Sequence, residues 1–374
     1  MWPWRRKGVQ DHVIAKHMRR FYRHVSRHDP PEEVARRYAV YFWDDHRATL
    51  TDRDGIGDHT FDVGLGVRRG SFDAVTKRVS LISDTLLLSD DWRGKYHEIH
   101  RYRSDKPILG DLPTNYLGVA EAARKRDGYA EAWDDRYVGF TTPDLARLGT
   151  WIRDAEPLLR AGLAWYLPSY SVRTQRLEDG RAVGGTKPVK HKNMIDFLVE
   201  GRRAIEVSGG RPVRSRVVRP ILEMDLPFID GVGLRDFGKI TVEEFGSYER
   251  LRNHLRQTLA RLDQAHDAVQ SEQELTRIGL EIEGHILDCR DEMARVRSTR
   301  AVAASGAVVG TVSATLVAVH GPALLPALGI LGATGGLWGV IQAMNQNSLR
   351  AIRSGPWYYV WALDRAAKRR RARG

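Results

Sequence analysis

Charge is missing from a long part of this 374-residue chain. Between Ala301 and Leu349 there is no Asp, Glu, Lys or Arg, in a protein whose charged fraction is 28%. At that composition a gap of this length has a chance on the order of one in ten million. Cysteine is nearly absent too. The single Cys289 excludes an intrachain disulfide and points to a reducing interior. The N-terminal MWPWRRKGVQDH has no apolar run behind its cations, so a cleaved signal peptide is not expected. Lys and Asn are scarce beside Arg, Ala, Gly and Asp, a bias that fits a high-GC bacterial genome.

Motifs that would announce a reaction are also missing. Gly64, Gly66 and Gly70 are one residue too widely spaced for the dinucleotide fingerprint and read as turn residues. The loop 177–193, GRAVGGTKPVKHKN with Lys187, Lys190, His191 and Lys192, lacks the ending of a phosphate-binding P-loop. Asp196 and Glu206 invite comparison with restriction-type nucleases, but Glu206-Val207-Ser208 lacks the lysine those need. His97-Glu98-Ile99-His100 is too short for the helical zinc motif, in which two His share a face. With Asp84, Asp90 and Asp91 these residues are nevertheless the densest set of acids and ligands. They are the candidates for a soluble metal-dependent hydrolase, in which carboxylates hold a cation that activates water. No cofactor and no metal is expected from any motif.

The uncharged stretch is the strongest positive signal. His320-Gly321-Pro322 divides it into two apolar runs, each roughly 28 Å long as a helix against a hydrocarbon core of about 30 Å. Gly306 with Gly310, and Gly332 with Gly336, have the small-residue spacing that lets paired helices approach. A two-span hairpin in the cell inner membrane is therefore expected. The alternative is a Gly/Ala-rich hairpin buried in a soluble helical bundle of a cytoplasmic protein. The net charge of +12 is concentrated at the ends: residues 1–50 hold eleven Lys/Arg and six Asp/Glu, and 301–374 hold eight and one. Cations flanking spans stay inside, so both termini are expected to be cytoplasmic. Trp2, Trp4, Trp357, Tyr358, Tyr359 and Trp361 suit a bilayer interface. Lys368, Arg369, Arg370, Arg371 and Arg373 suit anionic membrane lipid. Nucleic acid is a possible but less favoured partner for the same cations.

Periodicity places an α+β fold on the remainder. Residues 1–29 contain a basic amphipathic helix from Asp11 to His28, with Val13, Ile14, Met18, Phe21 and Val25 on one stripe. His17, His24 and His28 are read as face residues. A mixed α+β domain is expected over 30–225, opening with a helix capped by Asp29. In it FDVGLGVRRGSFDAV reads as a hairpin and KRVSLISDTLLLS as one buried strand or two short ones. An amphipathic helix starts at Asp144 and stops at Gly162 before a strand. Apolar residues recurring near every 3.5 positions over 242–300 suggest two long coiled-coil-like helices and a possible homo-oligomer. The 301–349 hairpin and a 350–374 aromatic and polybasic tail complete the chain.

One segment resembles a group of bacterial proteins with no assigned activity. It carries Asp225-Leu226-Pro227, then Phe237 and Ile240, then Glu244, Tyr248 and Arg252, and the closing Gly355 to Leu363, GPWYYVWAL, is similar to the end of those proteins. The resemblance implies no chemistry. The functional expectation is a membrane-tethered cytoplasmic protein that works by binding or regulated assembly, with perturbation of the bilayer as its most specific form. The hydrolase and a nucleic-acid binder are the alternatives.

Overall fold

The computed structural model describes residues 8–43, 61–90, 94–103, 134–178, 181–189, 194–207, 212–224, 226–261 and 355–371, with scattered positions between 277 and 294. Helices and sheets are both present, as in an α+β protein. The chain divides into two units, Met1–Glu223 and Met224–Gly374.

Unit 1 begins with α1 (His12–Phe21) and α2 (Pro31–Tyr41), followed by β1 (Asp62–Arg69), α3 (Phe72–Ser80) and β2 (Thr85–Asp90). Next come β3 (Lys95–Arg103), β4 (Asp134–Thr142), α4 (Leu145–Asp154), α5 (Glu156–Ala161) and β5 (Ala164–Tyr166). It ends with β6 (Ser169–Glu178), β7 (Arg181–Pro188), β8 (Phe197–Glu200), β9 (Arg203–Glu206) and α6 (Pro212–Glu223). Two sheets result. The first runs β5-β2-β1-β8-β9, parallel except for β9, and the second is the antiparallel set β3-β4-β6-β7. Every residue of β2 is buried, the apolar Leu86-Leu87-Leu88 and the polar Thr85, Ser89 and Asp90 alike.

The expected hairpin at 61–75 is instead a strand followed by a helix. The Ser71 hydroxyl accepts from the Ala74 amide at 3.4 Å, and Phe72, Val75 and Val79 then repeat at helical spacing on a buried face. The run from Lys77 that reads as strand is thus the end of α3 plus β2. The glycines divide likewise: Gly64 and Gly66 lie within β1, and only Gly70 is in a turn. The expected loop at 177–193 is largely strand, since β6 and β7 pair from Ser171 opposite Pro188 to Glu178 opposite Arg181.

Both N-terminal helices cover the core. The Asp11 carboxylate accepts from the Ile14 amide at 2.8 Å to start α1, which ends at Phe21, earlier than its stripe suggested. Ile14, Met18 and Phe21 are buried, whereas Val13 is 45% exposed. Asp29 does not cap α2. Its carboxylate accepts from the Ser26 amide and from Arg37, and Pro30 holds the cap position. The helices seat on α4 and α5 backbone to backbone. A Cβ at Gly149 would overlap the Pro31 carbonyl, and one at Gly162, the left-handed stop of α5, would overlap that of Asp11.

α2 also closes a sheet edge. β5 is the outermost parallel strand, and the buried Tyr38 hydroxyl donates to the Tyr166 carbonyl at 2.9 Å while accepting from the Tyr166 amide at 3.1 Å. One phenol thereby replaces a missing neighbour strand at that residue.

Unit 2 contains α7 (Pro227–Asp230), α8 (Leu234–Glu243), α9 (Phe245–Arg261) and α10 (Trp357–Arg371). The two segments that carry the resemblance meet in one core. The Tyr359 ring lies 6.5 Å from Phe237 and 5.5 Å from Tyr248, its hydroxyl is 2.7 Å from Thr241 Oγ1, and its amide donates to Ser247 Oγ at 3.1 Å. Tyr358 and Trp361 are buried with Cys289 and Met293. These aromatics fill a protein interior and are not displayed to an interface. Of the proposed lipid-binding cations, Lys368 pairs with Asp364 at 2.5 Å and the Arg370 guanidinium lies against Gly233. Trp2, Trp4 and Arg373 lie outside the described residues.

Among the described residues no helix is long and apolar enough to cross a membrane, which overturns the transmembrane reading. The stretch 301–349, including Gly306, Gly310, His320, Gly332 and Gly336, lies outside them, as does 262–276 of the expected paired helices.

Replacing Tyr38 by Phe strands two backbone groups of Tyr166 and should destabilise the protein by about 1–3 kcal/mol in urea unfolding. Burial pushes the Tyr38 and Tyr166 phenols up. The native state therefore keeps protons that the unfolded chain releases near pH 10, and stability should fall as pH rises past that point. The fall should be shallower in Tyr38→Phe.

Candidate functional site

The acids and histidines expected to converge do not. Asp84 precedes β2 and Asp90 ends it, about 20 Å apart at the usual strand rise. The Asp84 carboxylate accepts from the Phe61 amide at 2.6 Å. On β3, His97 pairs with Phe140 and His100 with Val138, on one face. Glu98 pairs with Gly139 on the other, with a register shift between Glu98 and His100. Asp91 lies outside the described residues. Among those described, no three His, Cys, Asp or Glu residues could hold a metal ion. The nuclease comparison fails as well, because the Asp196 carboxylate accepts from the Gly64 amide at 2.8 Å and so anchors β8 to β1.

Asp90 has the most elaborate surroundings of the set. It stands at the carboxyl end of a parallel strand, where ligands of α/β sheets gather, yet it is only 7% exposed. Its Oδ2 accepts from Thr142 Oγ1 at 2.6 Å and from the Tyr166 hydroxyl at 3.0 Å. Ser169 Oγ donates to the Asp90 carbonyl at 2.7 Å, and Ser89 Oγ donates to the Leu167 carbonyl at 2.8 Å. β2, β4 and β5 therefore meet at this carboxylate, which joins the two sheets, and β6 reaches the backbone of the same residue. Burial, then Asp90 itself, pushes the Tyr166 phenol up and keeps it a donor. The ends of the neighbouring strands β1 and β8 approach each other. Gly70 lies against Gly201, and the Arg147 guanidinium donates to the Gly70 carbonyl. A cavity lined by Ile14, Val63, Leu87, Trp165 and Met194 has a volume of about 20 Å³, room for one water.

The antiparallel sheet carries exposed charged residues on one of its faces. One face lies against α2: the Tyr170 hydroxyl donates to the Ala39 carbonyl at 2.7 Å, and the Trp43 ring is 4.7 Å from that of Tyr170. His97 belongs to this face, 5.4 Å from the Phe140 ring, and its buried Nε2 has no hydrogen-bond partner in the protein. Burial, then Arg36 and Lys95, pulls the imidazole below its usual value, so it is neutral at pH 7.

The opposite face carries a row set by register. Arg101 of β3, Tyr137 of β4 and Arg173 of β6 are direct cross-strand partners. The two guanidinium carbons lie 5.3 and 5.5 Å from the centre of the Tyr137 ring, and both arginines are exposed. Thr186 of β7 continues the row. None of these residues stood out in the sequence. The only signal was alternating Arg and Tyr in strands whose pairing was unknown. Guanidinium planes anchored on an aromatic ring can stack a base and bind phosphate oxygens.

No family model, curated protein or solved structure matches the chain.

If the Asp90 carboxylate ties the sheets together, Asp90→Ala and Tyr166→Phe should not add. A double-mutant cycle in urea should give a coupling of about 0.5–3 kcal/mol, and additive losses would remove the junction. His97 should appear in acid. Below about pH 6.5 the unfolded chain takes up a proton that the native imidazole refuses, so stability falls with pH. His97→Phe should flatten that limb in melting curves between pH 7 and pH 5.

Proposed function

We propose that the protein acts by binding and that its partner is single-stranded nucleic acid, held on the open face of the antiparallel sheet. The observation that carries this reading is the row of Arg101, Tyr137 and Arg173, two exposed guanidinium groups fixed side by side over one ring. Proteins that hold single strands combine backbone-tracking cations with planar groups for the bases, and a sheet face supplies both at the spacing of its strands. Lys16, Arg20 and Arg23, exposed along and just beyond α1, add a cationic surface that attracts a polyanion from a distance. Catalysis by the Asp84 to His100 residues has no such support, because they lie at different places in the fold.

Anisotropy of a labelled single-stranded oligonucleotide tests this. Affinity should fall linearly on a log–log plot against salt. Arg173→Glu should weaken binding about tenfold or more and make the slope shallower by about 1. Failure of the wild type to bind at low salt, or equal binding by Arg173→Glu, would rule out this face as the site.

A further inference from the structure

Two hydroxyls of the antiparallel sheet are buried without a hydrogen-bond partner in the protein: the Tyr96 phenol and Ser171 Oγ, the latter in a residue only 1% exposed. Both belong to the face that carries Arg101 and Arg173, and Gly139 brings them together. Ser171 pairs directly with Gly139, and the Tyr96 ring lies so close that a Cβ at 139 would overlap its Cε2 and Cζ. The missing side chain lets the phenol lean across β4. The Tyr96 phenol also lies within the electrostatic reach of Arg173. Ser171 and Arg173 are successive residues on one face of β6, about 7 Å apart along the strand.

A buried hydroxyl with no partner is destabilising, and native proteins retain few of them. Arginine only donates hydrogen bonds, and a hydroxyl has a proton to give. The group that would satisfy both hydroxyls and suit the arginines beside them is therefore an acceptor, and the two guanidinium charges make it an anion. We propose that this patch is a phosphate-monoester site that takes the terminal phosphate of a nucleic-acid strand. Arg101 and Arg173 balance its charge, and the Tyr96 and Ser171 hydroxyls bond its oxygens. A phosphodiester inside a strand carries one negative charge, whereas a monoester carries close to two, the better match for two guanidinium groups. Burial, with Glu98 adding to it, keeps the phenol protonated and able to donate. Exposed Glu98 stands on the same face and repels an anion, which places the phosphate on the β6 side of Tyr96.

The inference rests on the nucleic-acid reading of this face, and the full-length chain can separate the two. The probes are one oligonucleotide with a 5′-phosphate, a 3′-phosphate or hydroxyls at both ends, together with inorganic phosphate as competitor. The wild type should bind one phosphorylated form at least tenfold more tightly than the hydroxyl form. That ratio should fall toward one in Ser171→Ala and in Tyr96→Phe. Neither variant should melt below the wild type, because neither hydroxyl has a partner to lose. Equal binding of all three probes by the wild type overturns the phosphate site and leaves the nucleic-acid reading standing. Discrimination that survives in both variants also overturns it. Inorganic phosphate that raises the melting temperature of the wild type but not of Ser171→Ala, with no oligonucleotide binding, retains the site and sinks the nucleic-acid reading.

Discussion

Tyr166 is held from two directions, and the architecture of unit 1 depends on it. Its backbone is closed by the Tyr38 hydroxyl from α2, and its own hydroxyl reaches the Asp90 carboxylate at the end of β2. The first contact lets a three-residue strand stand at a sheet edge with its amide and carbonyl satisfied in a dry environment. The second brings a charge into that environment and surrounds it with hydroxyls. A buried carboxylate is tolerated only when such donors accompany it. The residues that supply them, Thr142 and Tyr166, come from strands of different sheets.

The two sheets divide the work. In the parallel sheet β2 has no exposed residue, and at the end of β1 the Arg147 guanidinium holds the Gly70 carbonyl. The antiparallel sheet lies against α2 on one face, and its other face keeps Arg101 and Arg173 in water.

How much of this could be read beforehand varied with the range of the interaction. Gly162 as a helix stop and Asp144 as a helix start were legible because each acts on backbone within a few residues. The helix Phe72–Ser80 was not. Nine residues give little more than two turns, and its valines suit a strand equally well until Ser71 is seen to cap it. The GRAVGGTKP strand was missed because glycine signals loops, whereas here Gly184 lets β7 pass close to the Thr174 carbonyl. The acidic cluster was an artefact of proximity in sequence, since a strand separates its ends by its full length. The row of Arg101, Tyr137 and Arg173 was invisible for the opposite reason, because 36 residues separate each member from the next and only register aligns them. The transmembrane assignment came from the length of an uncharged run, its glycine spacing and its cationic, aromatic borders, and no helix in the described residues supports it.

The glycine seats of the N-terminal helices bear on where this protein can be cut. Asp11 rests on Gly162 and Pro31 on Gly149, and between them hang Met18, Phe21 and Tyr38. A shortened form that begins after residue 21 would bare the side of α5 that α1 covers, and one that begins after residue 43 would also bare α4 and leave β5 open to pairing with a strand of another molecule. Residues 10–43 are thus the lid of the core, pinned at its start by the Gln10 amide on the Ala161 carbonyl.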